Sequence, residues 1–278
     1  IPTRDNLFLL KQCIKSILEK TNYANYEILI VDNGSVEPDA VKYLKKIQKN
    51  PLIRVIHDDR PFNYSALNNQ AVAQAKGEIV GLLNNDIEVI SKDWLDEMVS
   101  LALQENAGAI GARLLYPNDT VQHAGIILGF GKERVAGHAH IKFSKSDFGY
   151  FGRATLMQSF SAVTAACLVI RKDIYNEVEG LNEHELGIGF NDVDFCLRVR
   201  AAGYKNVWTP YAELYHHESA SRGHEDDTEK RDRFEKEVEY MQACWGDVLL
   251  SDPAYSPNLT LDYGDFTYAW PPRLEQFN

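Results

Sequence analysis

The sequence lacks the features by which several common protein classes are identified. Its four cysteines, at positions 13, 167, 196 and 244, lie far apart and form no Cys-x-x-Cys pair. This usage is typical of reduced thiols in or near a core and indicates a cytoplasmic setting. No apolar run approaches the roughly 18 residues that a membrane span needs. The sequence also predicts no signal peptide.

Basic residues are also in short supply. Among 278 residues, 29 are Lys or Arg and 40 are Asp or Glu, so the formal net charge is −11. Because nucleic-acid phosphates are bound by basic surfaces, this balance argues against a general nucleic-acid-binding protein. The length predicts one large domain or two small ones. A content of 45% apolar and 25% charged residues is typical of an ordinary globular protein.

A glycine-rich phosphate-binding loop is missing as well. Neither GxGxxG nor GxxxxGK[ST] follows the first predicted strand, so dinucleotide-binding and P-loop proteins lose support. If the chain binds a nucleotide, a group other than a nest of backbone amides must neutralise the diphosphate. A metal ion is one such group.

Residues 1–115 alternate between strand and helix patterns. Short β-rich runs, such as "YEILIV", "LIRVI" and "IVGLL", are separated by segments with helical spacing, as in Leu10, Ile14 and Leu18. Strands and helices that alternate with short connections predict a parallel sheet with helices on both faces.

The pattern changes after residue 117. Residues 118–160 are rich in Gly and His and show little periodicity, which predicts a functional loop or lid beside a site. The run "AVTAACLVI" predicts a buried strand, and "DVDFCLRVRAAG" predicts a helix. A charged helix is predicted over residues 228–249. The last 25 or so residues contain four Pro and predict a non-regular tail packed on the surface.

Two predicted strands end in polar residues. The apolar run Ile79–Leu83 stops at Asn84, Asn85 and Asp86, and "ILIV" is followed by Asp32. Because ligands of parallel α/β sheets bind at the carboxyl ends of strands, these residues predict a site at one edge of the sheet. A carboxylate there can hold a hard cation such as Mg²⁺ or Mn²⁺. The alternative for residues 84–86 is an Asx-turn between two strands, and the alternative for Asp32 is a turn or helix-cap role.

A second group of polar residues lies between positions 190 and 217. Asp192 and Asp194 begin a predicted helix, whose dipole favours anions, so a structural role is the alternative to a chemical one. His216 and His217 follow a predicted strand. Adjacent residues of a strand point to opposite sides, so at most one of these histidines faces a given site.

Five motifs occur in a familiar order: "IPTRD", "VDNGS", "LNNDIEV", "FNDVDFCLRVRAAGY" and "TPYAELYHH". Together they resemble the inverting glycosyltransferases of family two, and most closely the bacterial members that build O-antigens and other surface polysaccharides. The resemblance covers nearly the whole chain. With the start at Ile1 in place of Met, it predicts a segment of a longer protein.

The resemblance implies one domain of the GT-A fold, an α/β fold with a mostly parallel central sheet and helices on both faces. Residues 1–115 would form the nucleotide-sugar-binding half. Residues 116–250 would form the acceptor-binding and catalytic half, followed by a C-terminal tail over residues 251–278.

The resemblance also implies roles for individual residues. A UDP-, dTDP- or GDP-linked sugar donor would be bound by Thr3, Arg4, Asp32, Asn63, Asn84 and Asn85. Mn²⁺ or Mg²⁺ would be bound by Asp86 and His216, and Asp192 would be the catalytic base. Asn84 replaces the first Asp of the family's Asp-x-Asp motif, so Asp86 is its only carboxylate. Asn191 replaces the Glu that usually precedes the base.

These roles agree with the chemistry of an inverting sugar transfer. A base must take the proton of the acceptor hydroxyl as C1 is attacked, and positive charge must stabilise the departing diphosphate. The implied acceptor is a glycan or lipid-linked glycan, with no nucleic-acid partner and no membrane span. The implied location is cytoplasmic, and contact with the inner face of the membrane is left open.

Two other functions stay open at this point. A sugar nucleotidyltransferase is also an α/β protein with a metal-binding carboxylate, but it normally opens with a glycine-rich loop that "IPTRDN" lacks. A non-catalytic module that binds a nucleotide or glycan within a larger assembly is the other alternative. Asn84 and Asn191, which replace acidic residues, favour it.

Overall fold

A computed structural model of the chain describes residues 1–218, 228–264 and 266–273, with the side chains of 228 and 229 excepted. The strands are β1 (Pro2–Thr3), β2 (Ile28–Asp32), β3 (Ile53–His57), β4 (Ile79–Leu83), β5 (Ile87–Val89), β6 (Ala107–Leu115), β7 (Val121–His123), β8 (Ile126–Leu128), β9 (Ala136–His138), β10 (Gln158–Phe160), β11 (Cys167–Arg171) and β12 (Lys205–His216). The helices are α1 (Leu7–Lys20), α2 (Pro38–Ile47), α3 (Tyr64–Gln74), α4 (Trp94–Ala102), α5 (Lys172–Glu177), α6 (Asn191–Ala201) and α7 (Thr228–Leu250).

The strands form two main sheets and a separate hairpin. β1, β2 and β3 pair in parallel, in the order β1-β2-β3. The larger sheet has the order β10-β12-β6-β11-β4, and β5 and β7 are added to β12 and β6. β8 and β9 form the hairpin. The strand and helix alternation predicted for residues 1–115 is therefore present, and it places the ends of β1, β2 and β4 near one another.

The predicted parallel pairing holds for the smaller sheet and not for the larger one. In the larger sheet only β6 and β12 run parallel, and β11 runs antiparallel to both β4 and β6. Parallel neighbours need a crossover connection, usually a helix. Residues 116–166, all of which the structure describes, contain no α-helix between β6 and β11. The sheet is therefore mixed.

Helices cover both faces of the sheets, as predicted. β11 illustrates the arrangement, because alternate residues of a strand point to opposite faces. Cys167 and Val169 lie in a core with residues of α1, α2 and α4. Leu168 and Ile170 lie in a second core with residues of α3, α5, α6 and α7. Burial on both sides explains why this strand is apolar from residue 167 to residue 170.

The stretch 118–160 is more ordered than its sequence indicates. It contains β7, β8, β9 and β10, and residues 121–129 are all buried. Its glycines allow close packing: a Cβ on Gly125 would clash with the ring of Phe160, and a Cβ on Gly129 would clash with the carbonyl oxygen of Leu249. Both glycines also have positive φ, at 96° and 69°. The strands are three residues long, too short for a period to stand out.

The described part of the C-terminal tail, residues 251–264 and 266–273, contains no helix and no extended strand, as predicted. It also contributes to the core. Tyr255, Leu261 and Phe266 are buried in the same cluster as β8, and the ring of Phe266 stacks on His140 at a centroid distance of 4.5 Å. None of the helices in the described ranges is both long and apolar enough to cross a bilayer.

Candidate functional site

The carboxyl ends of β1, β2 and β4 meet at one edge of the fold. Thr3 lies opposite Asp32 in the parallel register of β1 and β2. The side-chain amide of Asn85, just beyond β4, donates a hydrogen bond to Thr3 Oγ1 over 3.0 Å. This bond joins the smaller sheet to the larger one. The amides after Leu83 therefore interrupt an apolar run because the strand has reached this edge.

Asp86 and His216 face each other at this edge. Asp86 Oδ1 lies 3.1 Å from His216 Nε2, and both side chains are less than a tenth exposed. The amide nitrogen of Asn84 lies 3.2 Å from the same imidazole nitrogen. The next histidine, His217, contacts Glu88 instead, at 3.1 Å. The two histidines thus point in opposite directions, as predicted.

A neighbouring amide orients the imidazole of His216. Gln122 Nε2 donates to Glu218 Oε2 over 2.8 Å, so Gln122 Oε1 is left to accept from His216 Nδ1 over 2.9 Å. An amide oxygen only accepts, so the proton of a neutral His216 is on Nδ1. The lone pair of Nε2 is then directed at the space beside Asp86. A hydrogen-bonded second nitrogen is the usual arrangement of a histidine that ligates a metal.

The pair fits a divalent ion by its chemistry and spacing. A separation of 3.1 Å between a carboxylate oxygen and an imidazole nitrogen is close to the roughly 3 Å between adjacent octahedral ligands with bonds of about 2.1 Å. Among the described residues, no group of three or more His, Cys, Asp or Glu is arranged to hold a metal. The remaining ligands would come from water and substrate, as is usual for Mg²⁺.

Asp32, at the end of β2, and Arg4, just after β1, lie at the same edge of the fold and differ in exposure. Asp32 is buried; its Oδ1 accepts the backbone N–H of Ser35 over 3.0 Å, and its Oδ2 lies 3.1 Å from His57 Nδ1. Arg4 is exposed in the connection between β1 and α1. Both are placed where a ligand at the strand ends can reach them, and their roles in binding a nucleotide stay predictions.

Asn63 is engaged in the fold itself. It is the N-cap of α3, where its Oδ1 accepts the backbone N–H of Ala66 over 2.9 Å and its Nδ2 donates to the carbonyl of Glu183 over 2.8 Å. It also lines a cavity of about 330 Å³ together with Asp58 and Arg60. The structure thus gives Asn63 a capping function, and its contact with the donor stays a prediction.

Asp192 presents a carboxylate at the first turn of α6. The side chain is half-buried, its Oδ1 accepts the N–H of Val193 over 2.9 Å, and its Oδ2 accepts the N–H of Ala165 over 3.1 Å. A carboxylate offers about four acceptor positions. Two backbone donors therefore hold the group in place and leave acceptor capacity for a further donor.

Asp194 is a structural residue by its contacts. It is 2% exposed and accepts hydrogen bonds from Arg198 Nε over 2.9 Å and from Trp245 Nε1 over 2.9 Å. Since Trp245 belongs to α7, Asp194 ties α6 to the C-terminal helix. The two carboxylates of one helical turn thus have different surroundings.

Sequence reasoning missed the backbone segment that connects these groups. The three consecutive residues 164–166, just before β11, each contact a different part of the site. Residue 164 donates its N–H to His123 Nε2 over 3.4 Å, residue 165 donates to Asp192, and residue 166 accepts the N–H of Asn84 over 3.0 Å. These are backbone groups, so no residue type in "TAA" indicates them.

Glu237 was missed for a different reason. It is 2% exposed on α7, and its Oε1 accepts the N–H groups of Ile188 and Gly189, each over 3.0 Å. These residues form the approach to α6, so Glu237 orders the loop that precedes Asp192. A charged residue in a helix with many charges carries no signal of this kind. A buried glutamate can be recognised only once the position of α7 is known.

A cavity of about 720 Å³ is lined by parts of β2, β4 and α4 and contains none of the predicted site residues. Its lining is mainly apolar and has no paired metal ligands. The candidate site is therefore the polar edge described above and not this cavity.

Comparisons with known proteins agree with the predicted fold and family. The family model for Glycosyl transferase family 2 matches residues 1–179. The uncharacterized protein y4gI of Sinorhizobium fredii (strain NBRC 101917 / NGR234) is 56% identical over 272 residues, which cover 98% of this chain and 30% of that protein. The O-antigen biosynthesis protein RfbC of Myxococcus xanthus is 36% identical over 266 residues, which cover 95% of this chain and 20% of RfbC.

The chain thus spans less than a third of the length of these two relatives. Among solved structures, the mannosyltransferase PcManGT from Pyrobaculum calidifontis, in complex with GDP-Man and Mn²⁺, matches with a TM-score of 0.60 and 15% sequence identity. The match covers 90% of this chain and 68% of PcManGT. The predicted GT-A fold is confirmed. With a family match over well over half of its length, the chain belongs to glycosyl transferase family 2.

Proposed function

We propose that this domain transfers a sugar with inversion from a nucleotide-sugar donor to a glycan or lipid-linked glycan, using Mn²⁺ or Mg²⁺. The reaction would serve the synthesis of a bacterial surface polysaccharide on the cytoplasmic side of the membrane. The observation that carries the proposal is the facing pair Asp86 and His216, 3.1 Å apart at the strand ends. The half-buried carboxylate of Asp192 is bound to the same backbone segment as Asn84.

Two comparisons support the substrate class. RfbC is named for O-antigen biosynthesis, and PcManGT was solved with GDP-Man and Mn²⁺. The donor of this chain would be linked to UDP, dTDP or GDP. Thr3, Arg4 and Asp32 lie at the strand ends where the nucleoside would bind, and Asn85 holds Thr3 in place through its amide.

The metal would be held by Asp86 and His216. When bound, it supplies positive charge that stabilises the departing diphosphate. Gln122 keeps the Nε2 lone pair of His216 directed at the site, because it accepts the Nδ1 proton. The amide nitrogen of Asn84 lies 3.2 Å from the same nitrogen, so its hydrogen bond to that lone pair would give way to the metal, and Asn84 adds no negative charge to the site.

Asp192 would act as the base. The acceptor hydroxyl oxygen forms a bond to C1 of the donor sugar as the bond from C1 to the diphosphate breaks, and the hydroxyl proton passes to Asp192. A single displacement of this kind needs one catalytic carboxylate, in contrast to the paired carboxylates of glycoside hydrolases. The backbone N–H groups of Val193 and Ala165 hold this carboxylate in one orientation, which favours a productive geometry.

The adjacent histidines provide a matched test of the metal site. UDP binding would be measured by calorimetry with Mn²⁺ and with EDTA for the wild type, His216→Ala and His217→Ala. Sugar release from UDP-GalNAc, GDP-mannose and dTDP-rhamnose would be assayed in parallel. We expect metal-dependent binding that is lost in His216→Ala and kept in His217→Ala, since His217 contacts Glu88 on the other side of the strand.

Equal nucleotide affinity with Mn²⁺ and EDTA would refute the metal dependence. Equal losses in the two variants would refute the assignment of His216. If none of the three donors, nor any other nucleotide sugar, were bound, the proposed function itself would fail.

A further inference from the structure

The protonated nitrogen of His123 follows from its surroundings. His123 is fully buried at the end of β7, and its Nε2 lies 3.4 Å from the backbone N–H of Thr164, which donates to it. A backbone N–H can only donate, so Nε2 must be the unprotonated nitrogen. Burial lowers the pKa of His123 well below 6.5, so the ring is neutral at pH 7. Its single proton is therefore on Nδ1.

This proton determines the state of a second histidine. The Nδ1 atoms of His123 and His138 are 2.8 Å apart, and the two rings are nearly perpendicular, at 85°. One of the two nitrogens must donate and the other accept. Since Nδ1 of His123 carries its proton, Nδ1 of His138 accepts. A neutral His138 then carries its own proton on Nε2.

His138 lies beside the candidate site through its partner His123, which accepts from residue 164, next to the residue that binds Asp192, and which directly follows Gln122, the acceptor for His216 Nδ1. His138 is half-buried on β9, and within the described ranges its Nε2 has no hydrogen-bond partner. Burial lowers the pKa of His138, the carboxylates of Asp192 and Glu218 oppose this effect, and His216 adds to it.

We propose that His138 is a substrate-binding residue that donates its Nε2–H to a sugar hydroxyl oxygen, and that His123 is the positioning residue that holds this proton on Nε2. The inference rests on the proposed function. A hydroxyl group both accepts and donates one hydrogen bond. A neutral N–H donor near the carboxylate of Asp192 offers the complementary pair. A diphosphate would instead favour a cation, which a neutral ring does not supply.

The tautomers can be read directly from the wild-type chain. Long-range ¹H–¹⁵N correlation spectra of ¹⁵N-histidine-labelled protein at pH 7 distinguish the two neutral forms and the cation. We expect the Nδ1–H form for His123 and the Nε2–H form for His138, assigned with His123→Phe and His138→Phe. The opposite forms, or a cationic His138, would overturn the inference, and neither result depends on enzyme activity.

Binding measurements test the contact with sugar. Affinities for UDP with Mn²⁺, and for the nucleotide sugar that the wild type binds best, would be compared in His138→Phe and His138→Gln. We expect unchanged UDP affinity. A lost neutral hydrogen bond predicts a loss of about 2- to 12-fold for the sugar-bearing ligand in His138→Phe, and a smaller one in His138→Gln, whose amide N–H can donate. His140→Phe, two residues further on in the same segment, is the control and should leave both affinities unchanged.

The binding and kinetic measurements distinguish a hydroxyl of the donor sugar from a hydroxyl of the acceptor. If the hydroxyl belongs to the donor sugar, the loss is in nucleotide-sugar affinity. If it belongs to the acceptor, donor affinity is kept and the KM for the acceptor rises by the same factor. If His138→Phe changes neither donor affinity nor the KM for the acceptor, and metal-dependent UDP binding is complete, the inference is refuted and the proposed function stands. A wild-type chain that binds no nucleotide sugar would refute both.

Discussion

Asparagine substitutions at Asp192 and Asp194 should separate catalysis from folding within one turn of α6. Asp192→Asn keeps the shape of the side chain but removes its ability to take a proton. Loss of a general base typically lowers turnover by about 10²- to 10⁴-fold. The amide can accept from only one of the two backbone donors, Val193 and Ala165. The lost hydrogen bond predicts a decrease of about 1 kcal/mol in the free energy of unfolding.

Asp194→Asn should have the opposite profile. Its carboxylate is 2% exposed and accepts from Arg198 and Trp245, so the substitution removes a buried negative charge from beside a guanidinium. Breaking a buried ion pair costs about 3–5 kcal/mol. Arg198 is a quarter exposed, which favours the lower end of that range. Such a loss is a large part of the roughly 5–15 kcal/mol by which domains are stable.

The assay pairs urea unfolding with turnover and UDP affinity for each variant. Asp173→Asn, at an exposed carboxylate on α5, controls for the loss of one charge. Asp192→Asn should unfold near the wild-type midpoint with intact UDP affinity and strongly reduced turnover. Asp194→Asn should unfold at lower urea, and its turnover per folded molecule should be much less affected. Equal turnover losses in both variants would point to a capping role and remove Asp192 from the mechanism, and a large loss only at Asp194 would make that residue the base.

Three further predictions concern the surroundings of the site. Burial lowers the pKa of His140 from 6.5 to about 4, so the unfolded chain binds more protons between these values. The free energy of unfolding of the wild type, relative to that of His140→Phe, should then be greatest above pH 6.5 and fall by about 3 kcal/mol towards pH 4. Urea unfolding of both proteins across this pH range would measure it. The same dependence on pH in both proteins would contradict the prediction. Glu237→Leu removes the acceptor for two loop N–H groups and should lower turnover by up to about 10²-fold, with UDP affinity kept. Glu237→Gln, which keeps an acceptor oxygen, should lower turnover much less. Equal turnover of the two variants would exclude an effect of this loop on catalysis. Gly129→Ala combines positive φ with a clash against a carbonyl of α7 and should lower the free energy of unfolding by about 1–3 kcal/mol. Gly246→Ala, where the added methyl group meets open space, should not destabilise the protein. Equal melting temperatures of the two variants would refute the packing argument.

The strand-end residues show what local sequence can predict. An apolar run that stops at "NND" without Gly or Pro locates the end of β4, because burial requires apolar side chains and a site requires polar ones. The placement of Asp86 at a strand end and the opposite directions of His216 and His217 also follow from local geometry, since side chains alternate along a strand. The structure brings Asp86 and His216 to 3.1 Å, although a sequence separation of 130 residues says nothing about that distance.

Contacts between distant short elements could not be predicted in this way. His123 and His138 belong to strands of three residues each, in which neither helical nor strand periodicity can be recognised. The irregular pattern of residues 118–160 therefore indicated a loop, whereas the structure contains buried strands. Glu237 is similar, because its place on α7 is polar in sequence and buried only by contact with residues 188 and 189. Such contacts are decided by packing.

The distance between the proposed metal ligands and the proposed base depends on the register of one strand. β11 pairs antiparallel with β4 so that Cys167 lies opposite Leu83, and this pairing places residues 164–166 beside Asn84. Two of these residues, 164 and 165, also donate backbone N–H groups to the side chains of His123 and Asp192. A shift of one residue would turn every side chain of β11 to the other core and would also move all three contacts together. Because both faces of β11 are apolar, residue type alone does not exclude such a shift. The polar contacts at the end of the strand exclude this shift. The hydrogen bonds that organise the site therefore also specify the register of the sheet in which the site lies.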